Sequence, residues 1–130
     1  LMTDTMLLIN CDIATSLLLN ARTDYYVDYA LSKLEEAIEE ARACKRSGLN
    51  KDLYYADEHK RTTITKAMPF AKWLCKMREL VSERQVLSLA TELAATVLEV
   101  LADQHECDCQ ATLRDLSEQL RRNINARIED

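Results

Sequence analysis

The spacing of apolar and polar residues predicts helices along nearly the whole chain, beginning near residue 5. Drawn as a helix, residues 5 to 20 place their polar positions in one narrow sector and apolar residues around the rest. The polar positions are Asp12, Thr15, Ser16 and Asn20. This first helix is therefore expected to be buried on most of its sides.

A second helix is predicted from about Asp24 to Cys44. Lys45 and Arg46 in its last turn and Gly48 just beyond are typical of a helix end. The apolar residues of this segment recur at the spacing of one buried face, and we expect them in the core: Val27, Ala30, Leu31, Leu34, Ala37, Ile38, Ala41 and Cys44.

The pattern weakens between residues 50 and 65, where it indicates a short helix from Asp52 and then a threonine-rich connection. Pro69 is compatible with a first helical turn, so a third substantial helix is predicted from 67 or 69 to 81. Its expected core residues are Phe70, Trp73, Leu74, Met77, Leu80 and Val81.

The C-terminal third predicts two long helices. Ser82 and Gln85 form a capping box for the strongest helix of the chain, which has a polar stripe made of Gln85, Ser88, Glu92, Thr96, Glu99 and Asp103. A last helix is predicted from Cys109 or Ala111 to 128. Its narrower apolar stripe is Leu113, Leu116, Leu120, Ile124 and Ile128.

These segments predict an all-α fold, a bundle of about five helices forming one domain over residues 1–130. Leu1 is interpreted as an added residue ahead of a natural start at Met2. Because the first and the strongest helix are apolar over wide arcs, we expect a homodimer whose interface shares their burial.

Composition supports the helical prediction and narrows the function. The 130 residues include one Gly and one Pro, too few for tight β-turns or glycine-rich phosphate loops. The net charge of -5 argues against a protein that coats nucleic acid, but residues 51 to 84 carry 8 basic and 5 acidic side chains. An acidic protein with a basic middle is therefore predicted.

Five cysteines, an odd number, without a recognisable signal peptide predict free thiols and a cytoplasmic location. The N-terminal apolar run is interrupted by Asp12, and the two glutamates of the strongest helix do not suit a membrane span. No membrane association is expected. Cys11, Cys44 and Cys75 lie on or beside apolar stripes, which favours core packing.

The segment QHECDC places His105, Cys107 and Cys109 within five positions. Zinc needs about four convergent ligands, and a fourth is missing here. On a helix His105 and Cys109 share a face, whereas Cys107 points nearly opposite. We therefore predict no metal and no other cofactor, with zinc at these three residues as the weaker alternative.

The segment LEEAIEEAR stacks Glu35 on Glu39 and Glu36 on Glu40. It resembles the EExxE half of the motif of MazG-type nucleotide pyrophosphohydrolases, all-helical enzymes in which helix-borne carboxylates hold Mg²⁺. That family also needs a downstream ExxD, and at the corresponding separation this chain reads YADE. A solvated acidic face is the preferred interpretation, and a metal-dependent enzyme is the second alternative.

The basic middle suggests a different alternative, a nucleic-acid-binding helix. Its candidate residues are Lys60, Arg61, Lys66, Lys72, Lys76 and Arg78. The connection before this helix contains Met68-Pro69, whereas a helix-turn-helix prefers a glycine. An amphipathic helix with a basic outer face is preferred, and nucleic acid is not the favoured partner.

Tyrosines cluster at Tyr25, Tyr26 and Tyr29. Consecutive tyrosines cannot all face a helix core, so some are expected at an interface. We therefore predict a non-enzymatic binding protein, an adaptor, regulator or inhibitor that contacts a protein partner. Its predicted contact residues are Tyr25, Tyr26, Tyr29, Glu35, Glu36, Glu39 and Glu40.

Overall fold

The protein is all-α, as the sequence predicts. A computed structural model describes residues 2–21, 24–43, 66–77, 83–104 and 108–129, and these contain five helices and no strand. The helices are α1 (Met2–Leu19), α2 (Asp24–Ala43), α3 (Met68–Lys76), α4 (Glu83–Gln104) and α5 (Gln110–Glu129). The short helix predicted from Asp52 lies outside the described residues.

Four of the helices form a bundle. α1 packs most extensively on α2, and α4 on α5. Few residues separate the members of each pair, so each pair is an antiparallel hairpin. Contacts of α2 with α4 and of α1 with α5 close the four-helix arrangement, and α3 packs at its edge against α2 and α4.

The core forms along the apolar faces that the sequence predicts for α2 and α5. Every predicted core residue of α2 that the structure describes is buried, as are Leu113, Leu116 and Leu120 of α5. Cys44 and Ile128 lie outside the residues whose side chains are described. The predicted core of α2 is confirmed, because a regular 3.6-residue period leaves one buried face. In α5 the prediction is confirmed as far as Leu120, whereas Ile124 is only half-buried.

α4 is the central helix of the bundle. It contacts α1, α2, α3 and α5, which together cover its wide apolar arc. Leu93, Leu98 and Leu101 are almost completely buried there. The segment from Arg84 to Asp103 is long and apolar enough to cross a membrane, yet 67% of its most apolar stretch is buried in the bundle. Packing against four neighbours accounts for the apolar character of this helix.

A polar cluster joins α4 to α5 beside this core. Nε of Arg121 donates a hydrogen bond of 2.9 Å to Glu99, and its terminal nitrogens donate to Glu92 and Thr96. Ser117 donates to the same carboxylate of Glu99, at 3.2 Å. Burial lowers the pKa of Arg121, but the bonds to Glu99 and Glu92 outweigh this effect and raise it. The polar stripe of α4 is thus largely turned toward α5.

α3 is shorter than predicted. The helix ends at Lys76, and the amide of Met77 donates to the carbonyl oxygen of Leu74 at 3.0 Å, which closes the last turn. Met77 itself has left the helical conformation, with φ -100° and ψ 50°. The prediction of one helix continuing to residue 81 is therefore wrong at Met77. Leu80, Val81 and the predicted cap residue Ser82 lie outside the described residues.

The buried face of α3 also differs from the prediction. Met68, Ala71, Leu74 and Cys75 are buried, whereas Phe70 and Trp73 are 52% and 50% exposed. The prediction that both aromatic residues lie in the core is wrong. The face with Met68, Ala71, Leu74 and Cys75 packs on α2 and α4, which leaves the two large rings on the outer side of α3.

Candidate functional site

Three tyrosines form an exposed cluster at the N-terminal end of α2. Tyr25 is 65% exposed, and Tyr26 and Tyr29 are also exposed. The rings of Tyr25 and Tyr29 stack with centroids 6.4 Å apart and planes 14° apart. The ring of Tyr26 meets that of Tyr25 edge to face at 5.9 Å. Mutual packing orders these rings without hiding them from a partner.

A lysine extends the tyrosine cluster along α2. The ammonium of Lys33 lies 5.3 Å from the ring centroid of Tyr29 and 3.0 Å from a carboxylate oxygen of Glu36. The hydrogen bond to Glu36 is the main cause that raises the pKa of Lys33. Tyr25, Tyr29, Lys33 and Glu36 therefore form one connected row on the outer face of α2.

The neighbouring face of α1 is apolar and accessible. Met6 and Ile9 are each 44% exposed, and Ile13 and Leu17 are half-buried on the same side of the helix. The sequence predicted a wide apolar arc on this helix, and the bundle covers only part of it. An aliphatic strip therefore remains open beside α2 in the described structure.

Tyr26 closes a cleft where α1 ends and α2 begins. The cleft is lined by Ser16, Leu17, Asn20 and Tyr26 and has a volume of about 310 Å³. Its lining is mainly apolar, with the polar side chains of α1 at its edge. It can accept one apolar side chain of a partner beside the phenol of Tyr26.

The acidic residues of α2 point in two directions. Glu35 accepts a hydrogen bond of 2.6 Å from Lys72 and so fastens α3 to α2. That bond is the main cause that raises the pKa of Lys72, with a further contribution from the charge of Asp28. Glu36 and Glu39 are exposed, and Glu40 is half-buried. All four glutamates lie on α2, but Glu35 is ion-paired with Lys72 of α3 within the protein.

The basic segment is only partly described. Lys66 and Lys76 are exposed, and Lys72 is engaged with Glu35. Lys60, Arg61 and Arg78 lie outside the described residues. Nucleic-acid binding by this segment stays a prediction. Of its six candidate residues, Lys72 already forms an ion pair with Glu35 within the protein.

Cys109 bears on the zinc hypothesis, because it is buried and disulfide-bonded. The prediction of free thiols is therefore wrong at this residue, and the inference of a reducing compartment loses that support. A disulfide sulfur is not the thiolate that zinc binds. His105 and Cys107 lie outside the described residues, within which no three His, Cys, Asp or Glu side chains are grouped to hold a metal.

Cys11 is a buried thiol in α1, and packing at this position and at Cys75 agrees with the sequence prediction. Burial, with a smaller contribution from Asp12, raises the pKa of Cys11 to about 12. The thiolate is the reactive form of cysteine. Cys11 is accordingly inert at neutral pH, and its role is to fill space in the core.

The shifted pKa of Cys11 predicts an alkaline loss of stability. Between the unfolded pKa near 9 and the folded value near 12, unfolding releases a proton that the folded protein retains. Stability should therefore fall as pH rises, by up to about 1.4 kcal/mol per pH unit. Urea unfolding at several pH values above 9 should show a steeper decline than for Cys11→Ala; parallel curves would contradict this.

Two surface features were not predicted from the sequence. One is the outward aromatic pair of α3, and the other is the position of the part of the predicted apolar arc of α1 that stays exposed, the strip that begins at Met6 and Ile9. Both belong to helices with apolar residues on more than one face, so the apolar period alone could not say which face stays open.

The chain matches no protein-family model, no curated protein and no solved structure. Functional inference therefore depends on the surface chemistry described above.

Proposed function

We propose that this chain is a non-catalytic binding protein, an adaptor, regulator or inhibitor that acts through a protein surface on α1 and α2. The observation that carries the proposal is the ordered tyrosine cluster of Tyr25, Tyr26 and Tyr29. Tyrosine is enriched at protein interfaces because one ring supplies a large apolar area, a hydroxyl and little conformational entropy loss.

The surroundings of the cluster indicate the chemistry of the partner. The strip with Met6 and Ile9 supplies aliphatic contact area, and the cleft beside Tyr26 fits one apolar side chain. Glu39 supplies an exposed carboxylate farther along α2. A partner segment with apolar and basic side chains on one face, such as an amphipathic helix, complements this surface.

Site-specific photo-crosslinking tests the proposal in cells. A benzophenone amino acid at position 25 or 29 should crosslink to one and the same protein, because both positions face the same partner. The same probe at position 112, on the exposed side of α5, serves as the control and should give no such product. Equal crosslinking from position 112 would remove the case for a specific surface.

Affinity measurements with the captured partner then distinguish the contribution of the tyrosine rings from that of their hydroxyl groups. Tyr25→Ala with Tyr29→Ala should weaken binding by about tenfold or more, since buried aromatic anchors carry most of an interface's energy. Tyr25→Phe with Tyr29→Phe retains both rings and should lose much less. Titration calorimetry measures the difference, and unchanged affinity of the alanine variant would contradict the proposal.

A further inference from the structure

Two faces of opposite charge lie side by side on the molecule. Residues 66 to 77 contain three lysines and no carboxylate, and Lys66 and Lys76 are exposed. The residues of α2 include six carboxylates against one lysine and one arginine. The ion pair of Lys72 with Glu35 joins the two helices. The positive face of α3 is therefore a direct neighbour of the negative face of α2.

The positive face of α3 also carries an exposed aromatic pair. Phe70 and Trp73 stack on each other with centroids 6.0 Å apart and planes 21° apart. Each ring is about half exposed, although the opposite side of α3 is buried through Ala71 and Cys75. An exposed aromatic pair has the composition of an interface core, and a lysine on either side suits its polar rim.

We propose that these two faces form the interface of a homodimer, in which α3 of each copy docks on the outer face of α2 of the other. A two-fold axis between the faces brings the positive half of one copy onto the negative half of its partner, twice. Phe70 and Trp73 then lie over α2 of the partner, and Lys66 and Lys76 meet Glu36 and Glu40. A second copy fits because the chain itself carries both complementary halves.

The tyrosine cluster stays accessible in this dimer because α3 is much shorter than α2. At 1.5 Å per residue, α3 is about 13 Å long and α2 about 30 Å. One α3 therefore covers about half of α2, and the charges direct it to the half with Glu36 and Glu40. The tyrosine cluster lies in the other half. The dimer does not depend on the proposed function, and either can fail alone.

Charge reversal provides the decisive test. Lys66→Glu with Lys76→Glu places negative charges on both sides of each contact, and Glu36→Lys with Glu40→Lys places positive charges on both sides, so each variant alone should be monomeric. An equimolar mixture of the two variants should recover the mass of a dimer, because both contacts again join opposite charges. Sedimentation velocity measures all three samples and the wild-type protein, which should be dimeric.

Charge reversals at exposed positions outside the proposed interface serve as controls. Arg122→Glu and Glu118→Lys change exposed charges on α5 and should remain dimeric. A wild-type protein that is monomeric at every concentration overturns the proposal. So do charge-reversed variants that dimerise as wild type does, or a mixture that stays monomeric.

The single tryptophan of the chain is Trp73, which provides an independent readout. Its fluorescence emission should shift to longer wavelength as dilution dissociates the dimer, and the charge-reversed variants should show the shifted spectrum at all concentrations. A spectrum that responds only to anionic vesicles or to a single-stranded oligonucleotide would overturn the dimer and assign this face to that ligand.

Discussion

Replacing Leu98 with alanine should lower the free energy of unfolding by about 3 kcal/mol, because the substitution truncates a fully buried side chain. Leu98 is fully buried in α4, the helix that contacts all the other described helices. The substitution removes apolar contacts from several neighbours at once and leaves a cavity that rigid helices cannot close.

Leu89→Ala is the matched control, because it makes the same change in the same helix at a half-buried position. Helix propensity changes equally in both variants, so the difference between them measures burial. Urea unfolding followed by circular dichroism should give the Leu89 variant less than half the loss. Equal losses would mean that Leu98 is not in the centre of the core.

Replacing Arg121 with alanine should destabilise the protein by about 2 kcal/mol. Arg121 bonds to Glu92, Thr96 and Glu99 across the α4–α5 interface. Its removal takes the Arg121 guanidinium away from the half-buried carboxylate of Glu99, and a partly desolvated charge is more costly when it loses an ion-pair partner. The loss therefore exceeds that of an exposed salt bridge.

Arg122→Ala is the control, since this arginine is adjacent in sequence but exposed. Its loss should stay within about 0.5 kcal/mol. Arg121→Lys retains the charge, but one ammonium cannot reach three acceptors as a guanidinium does, so an intermediate loss is expected. Chemical denaturation of the three variants ranks them, and equal stability of the two alanine variants would show that the polar cluster contributes little.

The core of α2 could be predicted from the sequence, whereas the orientation of α3 could not. In α2 the apolar and acidic positions fall on opposite faces, so the period determines which face is buried. α3 has apolar residues on both faces, and the larger ones, Phe70 and Trp73, suggested the wrong face. Contact with α2, which the ion pair of Lys72 with Glu35 supports, instead buries the face with Ala71 and Cys75. Which face of α3 is buried therefore depends on residues of α2 and not on the pattern within α3.

The candidate sites divide in the same way. Exposure of the tyrosines follows from their adjacency in sequence, and the structure adds their stacking and the cleft beside Tyr26. The polar cluster around Arg121 joins residues 22 to 29 positions apart, which no local pattern connects. Likewise, an odd number of cysteines says nothing about the oxidation of Cys109.

The pairing of helices also has a consequence for the order of assembly in time. Each hairpin, α1 with α2 and α4 with α5, brings together segments that are close in the chain, so little loop entropy opposes its closure. During synthesis the first hairpin can therefore collapse before α4 leaves the ribosome. The contacts of α2 with α4 span a much longer stretch of chain. Until α4 emerges from the ribosome, the apolar face of the first hairpin therefore stays exposed to solvent.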